Sequence, residues 1–203
     1  MDTQFVGFPK IPRLSREIVI TEKIDGTCGQ IFWDETGTFM LVGSKGRWIT
    51  TSDDNYGFAR WASDNVEELK KLGPGRHLGE WWGQGIQRNY GLKEKRFSLF
   101  NTTRWDQKMF NKFKIEPWER GDRKDLRPEF VTPPDCCHVV PVLTWGEFHS
   151  DLVTATMKCL EEHGSYAAPG FMNPEGIVIW HSAGNLLFKK TIKDDQKYKG
   201  DTT

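Results

Sequence analysis

The amino-acid sequence predicts an α+β fold built on antiparallel sheets. Short β-branched and aromatic runs separated by turn residues fill positions 17–49. Helical periodicity is confined to two later segments. Strands and helices never alternate in the βαβ rhythm that a parallel sheet requires. At 203 residues the chain can bury a full core as one domain.

Residues 1–16 carry Pro9, Pro12 and two arginines and read as an extended lead-in. Strands are expected at 17–22, 28–33 and 39–43, with Asp34-Glu35-Thr36-Gly37 as a hairpin turn. The glycine-punctuated basic segment Gly43-Ser44-Lys45-Gly46-Arg47-Trp48-Ile49 follows. Phe58, Trp61, Ala62, Val66 and Leu69 fall on one helical face, predicting a helix over 55–72 that Gly73-Pro74-Gly75 stops. Residues 76–82 and 96–101 read as strands around the loop Gly83-Gln84-Gly85-Ile86-Gln87. Residues 102–135 are charged and weakly periodic and read as a long surface excursion. A strand is expected at 139–143, and a helix from an N-cap at Ser150 to His163, with Gly164 at its stop. Residues 176–181 and 186–193 read as two antiparallel strands joined by Ser182-Ala183-Gly184-Asn185.

Lys+Arg and Asp+Glu both total 28, so the formal charge is zero, which excludes a globally basic nucleic-acid coat but leaves room for a local stripe. Nine Trp and 13 Phe supply either core or stacking surfaces for bases. No apolar run approaches the roughly 20 residues of a membrane span, and no signal-peptide core opens the chain, so a soluble, cytoplasmic protein is expected. In a reducing compartment Cys28, Cys136, Cys137 and Cys159 read as free thiols. Cys136-Cys137-His138 with Cys159 and His163 lacks a CxxC pair, and its adjacent cysteines suit tetrahedral zinc poorly. His77, His149 and His181 show no partner pattern.

The stretch Thr21-Glu22-Lys23-Ile24-Asp25-Gly26-Thr27 places a lysine between two expected strands, followed by an acid and a glycine. Alone it reads as an exposed lysine at a turn. As a nucleophile its amine must be neutral, which requires desolvation or a nearby cation. Further along come GSKGRWI at 43–49, GEWWGQGIQ at 79–87, RFSLFN at 96–101, EGIVIW at 175–180 and FKKTIK at 188–193. Gln87 and Arg88 read either as nucleic-acid contacts or as the end of a loop.

This succession, from about residue 7 to residue 199, resembles the covalent nucleotidyltransferases, the superfamily of ATP-dependent ligases and mRNA capping enzymes. Within it the chain is most similar to RNA ligases of the phage and RNA-editing branch. The resemblance implies an adenylyltransferase core of two antiparallel sheets flanked by helices, with the nucleotide between them. It implies that Lys23 is the residue adenylylated by ATP, with Mg²⁺ or Mn²⁺ as the metal. Glu22 and Ile24 flank Lys23 where the backbone meets adenine. Glu80 corresponds to the acid on the ribose hydroxyls, Phe100 to the aromatic stacked on adenine, and Glu175 to the acid near metal and phosphates. Lys189, with Lys190 or Lys193 as its second lysine, corresponds to the grip on the α-phosphate. Lys45 or Arg47 would take the ribose or phosphates, although many relatives carry Ser-Arg where this chain has Ser44-Lys45. Cys28 stands where relatives often have Asn, and Asn101 where they have Asp, which bears on substrate contacts.

The implied substrate is RNA with a 5′-phosphate and a 3′-hydroxyl, including a nicked duplex or an RNA/DNA hybrid. A minimal DNA ligase, a guanylyltransferase and an inactive nucleotide-binding relic are the alternatives. The last motif falls close to residue 203, so the expectation is a single monomeric catalytic domain with no C-terminal barrel or helical domain. Such a core would bind nucleic acid with its own surface or through a partner protein, with modest, salt-sensitive affinity.

Overall fold

The β-branched run Ile18-Val19-Ile20 lies in strand β1 (Glu17–Lys23), and only Ile24-Asp25-Gly26 separates it from β2 (Thr27–Trp33). In the computed structural model, which describes residues 4–118, 130–193 and 195–196, these two strands enter different sheets. β2 joins β3 (Met40–Gly43), β4 (Trp48–Ile49), β5 (Gly75–Gly83), β6 (Lys95–Leu99) and β7 (Cys137–Val139) in the order β4-β3-β2-β5-β6-β7. β1 joins β8 (Val142–Glu147), β9 (Gly176–His181) and β10 (Leu186–Thr191) in the order β10-β9-β1-β8. The lysine-bearing stretch is therefore the hinge between the two sheets.

Gly26 is what allows so short a connection. A Cβ there would stand 2.5 Å from the Trp81 carbonyl oxygen and 2.8 Å from Trp82 Cβ, atoms that no side-chain rotation can move. Gly26→Ala is expected to destabilise the fold by about 1–3 kcal/mol through this overpacking. Urea unfolding checks it, and an unchanged midpoint would show that β5 can retreat without cost.

Three apolar clusters follow from strand alternation. Ile31, Trp33, Trp81, Phe97 and Leu99 point from one face of the larger sheet onto Phe58 and Ala62 of α1 (Phe58–Asp64) and Leu69 of α2 (Val66–Leu69). Ile18, Ile20, Ile177 and Ile179 of the smaller sheet pack on Met157 and Leu160 of α5 (Ser150–His163). Ile24, Trp82, Tyr90, Val140 and Ala168 form the third cluster around the hinge.

Four expectations are corrected. The helix expected over 55–72 is broken at Asn65, whose side-chain amide donates to the Trp61 carbonyl at 2.8 Å and competes with the helix for that acceptor. Lys70–Leu72 then finishes it as a 3-10 turn. The strand expected over 139–143 is two strands in two sheets, divided at Val140 and Pro141. Val140 still donates to Leu99 in the larger sheet, while Pro141, with no N–H, accepts from Glu22 in the smaller one.

The stretch 102–135 holds two helices, α3 (Thr102–Trp105) and α4 (Gln107–Trp118), of which 119–129 lies outside the described residues. Asp106 accepts from the Met109 N–H at 3.0 Å and starts α4, and Lys112 reaches Glu17 at 3.0 Å. Finally, the larger sheet is not wholly antiparallel. β6 and β7 pair in parallel, Phe97 opposite Cys137, a pairing that no short hairpin turn can make. Among the described residues, no helix is long and apolar enough to cross a membrane.

Candidate active site

Lys23 is the last residue of β1 and lies opposite Gly176, the first of β9. Glu175, one residue earlier, thereby arrives beside it. Lys23 Nζ donates to Glu175 Oε2 at 2.6 Å, with 23% and 16% of the two side chains exposed. Gly176 is required at this corner: its φ is +155°, and a Cβ would lie 2.2 Å from the Lys190 carbonyl oxygen. The nucleophile candidate and its acid are thus set by register.

Glu80 reaches the same place from the other sheet. It sits on β5 between Cys28 of β2 and Ser98 of β6, and its Oε1 accepts the Gly26 N–H at 3.1 Å. Burial pushes its carboxyl up to about 7; Lys23 and the Gly26 N–H oppose this, while Glu175 and Asp25 reinforce it. Glu80 therefore lies within the electrostatic reach of Lys23, Glu175 and Asp25.

This shift carries a pH dependence. The folded value lies above the ordinary 4.5, so between pH 4.5 and 7 the native state keeps a proton that the unfolded chain has lost. Stability falls across that window as pH rises. Glu80→Gln, which cannot ionise, is expected to gain on the parent by up to about 3 kcal/mol between pH 4.5 and 7.5. Paired urea melts at the two pH values check it, and parallel pH profiles would contradict it.

One open face of the larger sheet runs away from Glu80. Phe100 extends the β5–β6 ladder, its N–H donating to the Leu78 carbonyl at 2.9 Å, so alternation puts Phe100, Leu78 and Glu80 on one side. Phe100 and Leu78 are 40% and 43% exposed, an uncovered apolar surface beside an acid. Cys28 shares the face; burial and Glu80 push its thiol up, and the Lys45 ammonium is close enough to oppose that. The turn bearing Lys45 is held from below: Gln30 donates to the Ser44 carbonyl at 2.7 Å and accepts from Arg76 at 2.7 Å.

Several expected residues are not brought to this surface. Arg47 is engaged by both Asp53 oxygens. Glu22 points to the opposite face of β1, where its buried carboxylate accepts from Ser165 Oγ at 2.6 Å, Tyr166 N at 2.8 Å and Ala167 N at 2.9 Å. Burial raises the Glu22 carboxyl despite these three bonds. The Ile24 side chain is core, which leaves its main chain as the part near a ligand.

Among the three lysines near the C-terminus, Lys189 lies across β9 from Thr21 and shares the Lys23 face. Lys190 takes the other face and pairs with Asp195 at 3.2 Å. The Ile192 N–H donates to the Glu175 carbonyl and its side chain packs on the α5 core, while Lys193 follows the end of β10, outside the ladder. Asn101 caps α3, accepting from the Arg104 N–H at 3.1 Å.

Sequence reasoning missed Tyr90 and left Arg88 undecided. The Tyr90 hydroxyl accepts the Asp25 N–H at 2.7 Å, and Arg88 Nε donates to Asp25 Oδ2 at 2.8 Å. The signal available was the Gln-Arg-Asn-Tyr-Gly run itself, in which Gln87, Asn89, Tyr90 and Gly91 all adopt positive φ. Among the described residues no group of three or more His, Cys, Asp or Glu could share a metal ion. The Glu175 carboxylate would nevertheless suit Mg²⁺ or Mn²⁺ carried in with a phosphate-bearing ligand, since such ions take one or two carboxylates and draw their remaining ligands from phosphate and water.

A lysine at a sheet hinge thus stands beside an acid from each sheet, with Lys189 on the same face. The chain belongs to the RNA ligase family, whose family model matches residues 16–193. Solved structures share the fold. A mutant of Naegleria gruberi RNA ligase with ATP and Mn matches with a TM-score of 0.58 at 18% identity, over 89% of this chain and 51% of that one. A mutant of the same ligase with AMP and Mn gives 0.56 at 18%, over 88% and 50%. An apo mutant gives 0.55 at 19%, over 87% and 50%. The chain thus spans about half the length of the structures it matches. Direct comparison with curated proteins finds no match.

Proposed function

We propose that this chain carries the adenylyl-transfer chemistry of an ATP-dependent RNA ligase. The observation that carries the reading is the 2.6 Å contact of Lys23 with Glu175, beside Glu80. The Lys23 amine attacks the α-phosphorus of ATP; an N–P bond forms, the bond to the pyrophosphate oxygen breaks, and pyrophosphate leaves. Glu175 Oε2 is the acceptor within reach of the proton that Nζ must lose. Lys189, on the Lys23 face, meets the charge that develops on the phosphoryl oxygens, with Lys193 just beyond the same strand as a second candidate.

Glu80 suits the ribose hydroxyls, and Phe100 with Leu78 offers adenine a surface on which to stack. Glu175 is the residue that would hold Mg²⁺ or Mn²⁺, which when bound supplies charge neutralisation at the phosphates. The AMP then passes to a 5′-phosphate, and a 3′-hydroxyl displaces it to seal the strand. The Naegleria ligase structures with ATP, AMP and Mn support this choice of nucleotide and metal.

A sealing assay tests it, offering RNA as single-strand ends, as a nicked duplex and as an RNA/DNA hybrid, with all-DNA counterparts. ATP-dependent joining of at least one RNA substrate, ahead of its DNA counterpart, is the expected result. Joining confined to DNA would make the chain a DNA ligase, and labelling by GTP in place of ATP would make it a guanylyltransferase.

A further inference from the structure

We propose that Arg88 is a positioning residue for AMP transfer, one guanidinium tying the Asp25 carboxylate, just past Lys23, to the main chain just before Glu175. This rests on the adenylyl-transfer reading above. Arg88 Nε donates to Asp25 Oδ2 at 2.8 Å, two residues past Lys23. Its Nη1 donates to the Asn173 carbonyl at 3.2 Å and approaches the Pro174 carbonyl at 3.5 Å, immediately before Glu175.

The need for such a tie follows from where the reacting pair lies. Lys23 ends β1 and Glu175 precedes β9, so the β1–β9 ladder stops at this corner, where the Glu175 carbonyl is held from the β10 side by Ile192. Reacting groups tolerate little slack, since a misplacement of about 1 Å can cost about 10²-fold in rate. Arg88 adds a restraint on both segments from outside the smaller sheet.

The loop that presents Arg88 is itself braced. Tyr90 is buried against Trp82 and Phe171, with ring centroids at 4.9 and 4.6 Å, and its hydroxyl accepts the Asp25 N–H. Gln87, Asn89 and Tyr90 hold φ of +43°, +61° and +51°. Side chains larger than glycine persist in that region when their surroundings over-determine it, as such sites do near ligands and reaction centres. Lysine could not do this work: its point charge can meet the carboxylate, whereas the guanidinium fork meets the carboxylate and a carbonyl together.

The test has two readouts. Single-turnover AMP adduct formation on Arg88→Ala is expected to slow by about 10–100-fold at saturating ATP, with the ATP concentration for half-maximal rate little changed. Added guanidinium ion should restore part of the rate, and Arg88→Lys should remain slow. Independently of activity, amide hydrogen exchange at 23–26 and at 173–176 should accelerate together in the variants. Should Arg88→Ala not fold, Arg88→Lys and Arg88→Met keep the stem and take its place.

A folded variant with the parent rate constant, or a loss confined to the ATP concentration dependence, overturns the positioning role. So does exchange that rises at 23–26 alone. A parent chain that takes no AMP overturns the proposed function, and the catalytic part of this role with it; the exchange pattern still decides whether Arg88 joins the two segments.

Discussion

Glu175→Gln is expected to slow transfer of AMP to Lys23 by about 10²–10⁴-fold, the range for loss of a positioned proton acceptor or a charge-stabilising group. The substitution keeps the shape of a side chain that is only 16% exposed, and it leaves the β1–β9 register untouched. What it removes is the carboxylate 2.6 Å from Nζ. An ammonium is no nucleophile, and an amide accepts a proton far less readily than a carboxylate does. The amide is also a poorer ligand for a divalent ion, so both roles assigned to Glu175 are weakened together. Single-turnover labelling at saturating ATP measures the effect, with the thermal midpoint as a control on folding. A folded Gln variant within about threefold of the parent would mean that Glu175 only holds Lys23 in place in the resting site.

Glu22→Ala is expected to cost about 3–5 kcal/mol of stability and to disturb the site through the fold. The Glu22 side chain is buried and serves three donors, the Ser165 hydroxyl and the Tyr166 and Ala167 N–H groups. Truncation leaves all three without their acceptor; the Ser165 hydroxyl is buried and the two N–H groups are partly so, and a buried unsatisfied donor costs about 1–3 kcal/mol. Full additivity would exceed the stated range, but relaxation and entering water recover part of it.

Because burial raises this carboxyl, its ionised form lowers native stability as pH rises through the folded value, and the contribution is fully present at acid pH. Glu22→Gln retains one acceptor and loses that pH dependence, so it should be the milder change. Urea unfolding of both variants checks the argument. An Ala variant within about 1 kcal/mol of the parent would contradict it.

Much of the site was legible because strands obey alternation. Lys189 and Lys190 are adjacent in sequence, yet period two alone separates the face of Lys23 from the face that meets Asp195. The same rule sends Glu22 away from its neighbour Lys23. Phe100, singled out by its spacing from Glu80 at a strand end, continues the β5–β6 ladder on the Glu80 side.

The elements that escaped are those decided by single polar contacts. Asn65 breaks a helix whose apolar spacing is unbroken, because one amide diverts one carbonyl. Helix α4 has little periodicity to read and depends on Asp106 at its start and on Lys112 reaching Glu17. Arg47, by type a candidate for the ribose or the phosphates, meets both oxygens of Asp53 six residues away, a contact the spacing does not announce. Arg88 and Tyr90 find Asp25 across more than sixty residues, a pairing that no local pattern encodes.

The most direct test of the account is the intact mass of the chain after incubation with ATP and Mg²⁺ or Mn²⁺. The expected result is the gain of one AMP, stable to denaturation, on the parent chain and none on Lys23→Ala. An unchanged parent mass, or an adduct that survives the loss of Lys23, would contradict it.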